Sequence, residues 1–345
     1  MAIVSDFTDL HLWDKSLRSR RDYVRESLDL FEIVIKEVKE VRAMYPKEKY
    51  VIIMCGDVFH KDCKSVTAGI QWSQRFYILR TLCDELVFVI GNHEITWSQD
   101  NVFWTLITEC RGNNIPVTPN YAKGLIPIAK VMDYMDLDGV RLHFVHYHGD
   151  VSEMCDGKNI AFVHDDYLCP DLIKLIEAKN DVDLKTEYVG YRNLEDSEKL
   201  SELDAIFFSH NHKASGVYDL ELKPGKVTRV YYLMSLGRTS KDQVFETGTK
   251  RMVPLIRISD GDFDVVRRYV ELPHAKDVID IVAVKKSEET YERQKQNRAI
   301  RQTNISGIDP VADIRDKLKD LPEAVEMFDL SKERKRPEWL RRLLE

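Results

Sequence analysis

Five short polar clusters stand out in the first two thirds of the chain: Asp9-Leu10-His11, Gly56-Asp57, Gly91-Asn92-His93-Glu94, His164, and His210-Asn211-His212. Together they offer two aspartates, an asparagine amide and five of the chain's ten histidines. Carboxylate oxygen, amide oxygen and imidazole nitrogen in one set suit a divalent ion of intermediate hardness, manganese or iron first and zinc also in range. Taken singly, each cluster says little. Asp-x-His is common by chance, Gly-Asp is usually a turn, a histidine at a strand end is more often a packing residue, and Asn92 after Gly91 looks like a helix cap. Their order carries the meaning, because every one follows directly on an apolar run. Two assignments have rivals. His146 and His148 in LHFVHYHG compete with His164, and Asp6 competes with Asp9; the strand-to-loop setting of IAFVHDDY favours His164, and the spacing to His11 favours Asp9.

The elements that must hold these clusters are legible in the same stretch. AIVSDF reads as a strand. From about Asp22 to Met44, Leu28, Phe31, Ile35, Val38 and Val41 recur at the three- and four-residue spacing of an amphipathic helix. YVIIMCGD and LVFVIGNHE are continuous apolar runs of the kind buried on both faces, with a helix between them from about Val66 to Asp84. Strand, helix, strand, helix, strand implies crossover units in a largely parallel sheet. Further on, DYMDLDGVRLHFVHYHG predicts a hairpin about Asp138-Gly139. IAFVHDD and DAIFFSHNH repeat the strand-then-polar pattern, and ASGVYDLEL, KVTRVYYLMSL, RMVPLIRIS and DFDVVRRYVEL form a closing series of strands. The fold class expected is α/β, a four-layer α/β/β/α sandwich of two mixed sheets. The polar clusters would lie at the C-terminal ends of strands, where open α/β sheets place their ligands.

Composition sets the outer bounds. The 345 residues are 43% hydrophobic and 32% charged, an ordinary globular balance large enough for a substantial core. No run of about eighteen apolar residues occurs, so no membrane span is expected, and the N-terminus reads as a strand and not a signal peptide. Six cysteines without a C-x-x-C pair fit reduced thiols in a cytosol better than a zinc or disulfide framework. The net charge of -7 argues against a generally basic nucleic-acid binder. It leaves DNA open as substrate, since bound cations reverse the sign of an acidic cleft and a partner can supply basic surface.

Residues 1–275 form one expected domain and residues 276–345 a charged helical tail. The tail breaks at Ser306-Gly307 and at Pro310, Pro322 and Pro337, and carries apolar residues at Met327, Phe328, Leu330, Trp339, Leu340, Leu343 and Leu344. Those side chains are costly to leave in water, which favours a segment that docks on another protein over a merely solvated one.

The ordered set D-x-H, G-D, G-N-H-[DE], H and [GS]-H-x-H resembles the signature of the calcineurin-like metallophosphoesterase superfamily, over positions 9 to 212. The resemblance implies that Asp9, His11 and His212 hold one metal ion and Asn92, His164 and His210 a second, with Asp57 bridging both. It implies His93 as the acid or orienting group, with Glu94 supporting it. The protein Ser/Thr phosphatases of the superfamily read G-D-x-x-D-R-G and R-G-N-H-E; here Lys61-Asp62 and Ile90 stand in place of their arginines. Gly56-Asp57-Val58-Phe59-His60 instead resembles the G-D-[LIV]-F-[HD] form of the SbcD-like DNA double-strand-break nucleases, with His60 near substrate. The loop from Tyr232 to Ser240 is similar to one in that group but lacks its Gly-Ser-Pro, while Trp13 and Ser209 replace glycines. That resemblance implies a two-manganese exonuclease and single-strand endonuclease. It also implies a homodimer in the cytoplasm whose tail grips an SbcC-type coiled-coil ATPase, in the compact form that phages encode. A small-molecule phosphodiesterase acting on cyclic nucleotides or dinucleotides is the alternative, and a non-catalytic scaffold a remoter one.

Overall fold

A computed structural model describes residues 1–14, 23–60, 65–95, 107–111, 128–168, 172–174, 177–178, 191–210, 215–237 and 250–278. The first strand, β1 (Ala2–Thr8), is buried along its whole length. Its alternation sends Ile3 and Phe7 to one core and Ala2 and Val4 to another. β2 (Lys49–Cys55) and β3 (Glu85–Val89) divide the same way. Ile52, Met54, Leu86 and Phe88 face the first core, and Val51, Ile53, Val87 and Val89 the second. A strand covered on both faces has no solvent side, which is why residues 50–55 of β2 and 86–89 of β3 are unbroken apolar runs.

The three strands are parallel, with Ala2 opposite Lys49 and Val51 opposite Glu85, and helices make the crossovers. Helix α1 (Tyr23–Met44) turns Leu30, Phe31, Val34, Ile35, Val38 and Val41 inward. Helix α2 (Val66–Leu82) does so with Ala68, Trp72, Phe76 and Leu79, and the Ser65 hydroxyl caps it by accepting from the Ala68 amide. Trp72, Phe31 and Phe76 are fully buried, each contributing roughly 1.5–3 kcal/mol.

Around this unit the first sheet gains β4 (Ile107–Arg111), β5 (Ala129–Met132), β14 (Lys250–Ser259) and β15 (Asp262–Glu271). Its order is β15-β14-β1-β2-β3-β5-β4. The second sheet contains β6 (Tyr134–Leu137), β7 (Val140–Val145), β8 (Lys158–His164), β11 (Ala205–Ser209), β12 (Gly216–Lys223) and β13 (Lys226–Tyr232), in the order β12-β13-β11-β8-β7-β6. β6 and β7 are the hairpin expected at Asp138-Gly139. β7, β8, β11 and β13 run parallel. Leu142, Phe144, Ile160, Phe162 and Phe207 close the second core from that side. On the far face, Ala161, Val163, Ile206 and Phe208 meet Leu172, Ile173, Leu194 and Leu200, the last on the short helix α4 (Glu198–Ser201). β9 (Tyr167–Leu168) pairs there with β10 (Arg192–Asn193). The result is the expected four-layer sandwich of two mixed sheets.

The chain divides into a unit of Met1–Ile281 and one of Val282–Glu345. The second holds the apolar tail residues from Met327 to Leu344 and lies outside the described residues. Among the described residues no helix is long and apolar enough to cross a membrane. Cys55, Cys83 and Cys155 are free thiols.

Candidate metal centre

The ligand candidates sit where parallel strands stop. Asp9 follows β1, Asp57 lies just past β2, Asn92 opens the turn α3 (Asn92–Ile95) after β3, His164 ends β8 and His210 follows β11. The loops after β1 and β2 run side by side. The Asp9 amide donates to Gly56 O (3.2 Å), His11 to Asp57 O (2.9 Å), Leu12 to Val58 O (2.9 Å), and His60 to Leu12 O (2.9 Å). Asp9, His11, Asp57 and His210 all take left-handed backbone, with φ of 51°, 49°, 44° and 76°. Such angles cost a non-glycine residue about 1–2 kcal/mol each, and they persist only where the surroundings enforce them. Gly56, at φ 73°, is obligatory for a further reason: a Cβ there would lie 1.9 Å from His164 Nδ1.

Asp57 is the hub. Its Oδ1 lies 3.3 Å from His164 Nε2, and its Oδ2 lies 4.0 Å from His11 Nε2 and 3.7 Å from His93 Nε2. His11 Nε2 is also 3.7 Å from Asp9 Oδ1. The amide oxygen of Asn92 stands 2.9 and 3.0 Å from the two Asp57 carboxylate oxygens and 3.1 Å from His210 Nδ1, with His164 Nε2 at 3.4 Å. With its oxygen turned inward Asn92 is a further oxygen ligand for a cation, and with its nitrogen inward the amide donates to these acceptors instead. Two groups of potential ligand atoms, each within 4.8 Å of one another, share this carboxylate: Asp9, His11 and Asp57, and Asp57, His164 and His210. The donor set therefore fits a pair of cations. A third group joins the buried His11 to the half-buried His60 and His93.

A ring of supports holds the hub. Glu94 is fully buried and accepts from the amides of Asp57 (3.0 Å), Phe59 (3.3 Å) and Gly91 (2.7 Å), tying the β2 and β3 loops together. The Thr8 hydroxyl donates to the Asp9 carboxylate. Tyr23 donates to His11 O (2.7 Å), and Ser235 and the Gly237 amide donate to Asp9 O (3.0 and 2.8 Å). That is the structural work of the Tyr232–Gly237 loop. His164 Nδ1 lies 3.0 Å from Cys55 O and 2.9 Å from Ser209 Oγ, so the serine in place of a glycine braces a ligand candidate. Trp13 packs edge-on against His60 and Tyr23. Neither Thr8 nor Tyr23 was expected at the site, and no motif marks them; Ser235 lies in the loop that resembles one of the nuclease group, with no role of its own expected there.

The electrostatics follow from crowding. Burial alone would raise the Asp57 carboxyl, but the neighbouring His164, His11 and His93 outweigh it and hold it well below the usual carboxylate range. Burial pulls His164 down, yet the charge and hydrogen bond of Asp57, with Asp9 and Glu94, lift it to about 10. Burial and the Asp57 charge push Glu94 up to about 8. His93 is lowered, first by burial and then by the cationic His164, against the pull of Asp57.

The rivals sit elsewhere. Asp6 faces the core between the sheets, is 1% exposed, and neither of its oxygens has a hydrogen-bond partner among the described residues; burial, then Asp9's charge, raises its carboxyl far above normal. His146 is buried and accepts the Ile90 amide on Nδ1 (2.9 Å), bracing the β3 loop from below. His148 is exposed beside Asp165. His212 lies outside the described residues.

Residues 7–214 match the family model described as Calcineurin-like phosphoesterase, the span from β1 to the final histidine pair. The chain belongs to the calcineurin-like phosphoesterase family. Both Asp/His groups of this phosphoesterase lie within the matched span. Among solved structures it is similar to the 5'-nucleotidase precursor from Thermus thermophilus, at 12% identity and a TM-score of 0.39, over 86% of this chain and 59% of that one. The phosphoesterase therefore spans less than two thirds of that protein's length. No curated protein sequence matches it.

Proposed function

We propose that this phosphoesterase is a DNA nuclease, an exonuclease and single-strand endonuclease that works as the nuclease subunit beside an SbcC-type coiled-coil ATPase. The observation that carries the chemistry is the convergence of Asp9, His11, Asn92, His164 and His210 on the shared carboxylate of Asp57. On this reading Asp9, His11 and Asp57, with His212, hold one cation, and Asp57, Asn92, His164 and His210 the other, manganese in the first instance. Such a pair supplies charge neutralisation at the phosphate and a lowered pKa for an attacking water.

The remaining chemistry belongs to the chain. His93 Nδ1 is held on the carbonyl of His60, which leaves Nε2 facing Asp57 and able to take up or hand over a proton at the leaving alkoxide. Burial lowers the basicity of His93, so the proton it hands over near neutral pH must first be taken up on Nε2, drawn there by the Asp57 charge. Phe59 is buried against Trp72 and Phe76 and so carries His60 to the rim, 5.0 Å from His93 ring to ring. The buried Ile90, where phosphatases of the superfamily place arginine, supports a diester substrate over a phosphoprotein.

The experiment is release of nucleotides from a labelled linear duplex and from single strands with manganese, with and without a co-expressed partner ATPase. Bis-p-nitrophenyl phosphate and cyclic nucleotides serve as competing substrates. Turnover of those small diesters with none of DNA would sink the nuclease reading in favour of a small-molecule phosphodiesterase. Undiminished hydrolysis by Asp57→Ala would sink the site itself. Resemblance to the same nucleases also supports a homodimer with residues 276–345 as the ATPase-docking tail, tested by light scattering and by pull-down after truncation at 275.

A further inference from the structure

Among the ligand candidates, His210 is braced from behind by a carboxylate. Its Nδ1 lies 3.1 Å from the Asn92 amide, on the side where Asp57 and His164 converge, while its Nε2 lies 3.2 Å from Asp166 Oδ2. His164 differs, its second nitrogen resting on the Cys55 carbonyl and the Ser209 hydroxyl. Asp166 is itself fixed at both ends of its backbone. Its amide donates to Asp165 Oδ1 (2.8 Å), and its carbonyl accepts from the Arg192 amide (2.7 Å). Asp165 is 3% exposed and anchors the frame, also accepting from the His148 amide (3.2 Å) and Arg192 Nη1 (3.1 Å). The His210 backbone is tied separately, its amide donating to Asp9 Oδ2 (3.2 Å).

We infer that Asp166 is a positioning residue of the metal centre, holding the proton of His210 on Nε2 so that Nδ1 presents its lone pair to the cation shared with Asp57, Asn92 and His164. The inference rests on the metal-centre reading above. An imidazole donates one lone pair to a metal only when the other nitrogen carries the proton, and a carboxylate behind the ring selects that tautomer and strengthens the donor. Without Asp166 the His210 ring has two tautomers and more freedom about its side-chain torsions, on a residue already held at a positive φ of 76°. Asp165 acts one step further back, by aiming Asp166.

The test uses the full chain with Asp166→Ala and Asp166→Asn. Metal-depleted proteins are titrated with Mn2+ by calorimetry and followed by electron paramagnetic resonance, and the thermal unfolding of the metal-free forms is recorded. Wild type is expected to bind two ions and show a coupled pair. Asp166→Ala is expected to bind the first as wild type does and the second about 10–100-fold more weakly, with uncoupled manganese at two equivalents and an unchanged metal-free Tm. Asp166→Asn keeps an oxygen that can accept from Nε2–H, and is expected to recover part of the loss. Wild-type affinity for the second ion in Asp166→Ala overturns the inference, as does equal weakening of both ions together with a lowered metal-free Tm. Failure of the wild type to bind a pair overturns the metal-centre reading as well.

Discussion

Replacing Gly56 with alanine isolates the closeness of the two sheets at the site. A Cβ at Gly56 would lie 1.9 Å from His164 Nδ1 and 2.2 Å from its Cγ, where real Cβ contacts essentially never fall under 3.0 Å. The ring would have to retreat by about an ångström, and it has nowhere to go. It is fully buried and held by Cys55 O and Ser209 Oγ. Moving it forfeits two hydrogen bonds worth about 1 kcal/mol each, within the 1–3 kcal/mol that overpacking a core usually costs. The left-handed backbone adds about 1 kcal/mol, for a total of about 2–4 kcal/mol. Gly225, in the β12–β13 turn, has nearly the same φ, 77° against 73°, but nothing within 4 Å of its would-be Cβ. Gly225→Ala should therefore cost only the backbone component, about 1 kcal/mol. Urea unfolding of the metal-free proteins gives the stability difference, and manganese-dependent hydrolysis of bis-p-nitrophenyl phosphate reads the displaced ligand. Equal stability of the two variants, or full activity in Gly56→Ala, would refute the reasoning.

Glu94→Ala strands the amides of Asp57, Phe59 and Gly91 without an acceptor; a loss of about 3 kcal/mol or more in urea unfolding is expected, with weakened manganese binding, and a change under 1 kcal/mol would count against the support role. His146, lowered to about 4 mainly by burial, binds fewer protons folded than unfolded between that value and its ordinary 6.5. Its contribution to stability is thus intact above pH 6.5 and lost as pH falls toward 4, by about 3 kcal/mol in all, and His146→Gln should flatten that slope in metal-free protein. His164, lifted to about 10, is cationic at neutral pH without metal and must be neutral to ligate, and Glu94, at about 8, is largely protonated beside it. Calorimetry at pH 7.5 should therefore find at least about one proton released on loading the centre; heats independent of buffer ionisation enthalpy would contradict it.

Most of the framework was legible because burial on two faces leaves a clear trace. Val51 and Ile53 look to one core, Ile52 and Met54 to the other, and no polar residue interrupts. The ligand candidates were legible for a related reason, since polar residues are rare inside a buried parallel strand, Asp6 in β1 being an exception, and cluster where it ends. Asp9, Asp57, Asn92, His164 and His210 mark five such ends. What stayed hidden depends on contacts between distant segments. The β4 and β5 strands, of five and four residues, are too short to show a period. The brace from Ser209 to His164 joins residues on neighbouring strands, and an Asp in HDDY does not announce that its partner is His210, on another strand. Tyr23 reads as the first turn of a helix, and only the fold brings its hydroxyl to the His11 carbonyl.

Half of the centre, Asp9 and Asp57, hangs from one sheet, and half, His164 and His210, from the other. An occupant of this site is therefore a rivet through the sandwich, and it can set only after both plates have met. Binding that requires the closed sandwich adds about 2.7 kcal/mol at a hundredfold excess over Kd. Chelation should accordingly loosen the seam between the plates first, so that amide exchange quickens in β8 and β11 ahead of the helices laid over the outer face of β1.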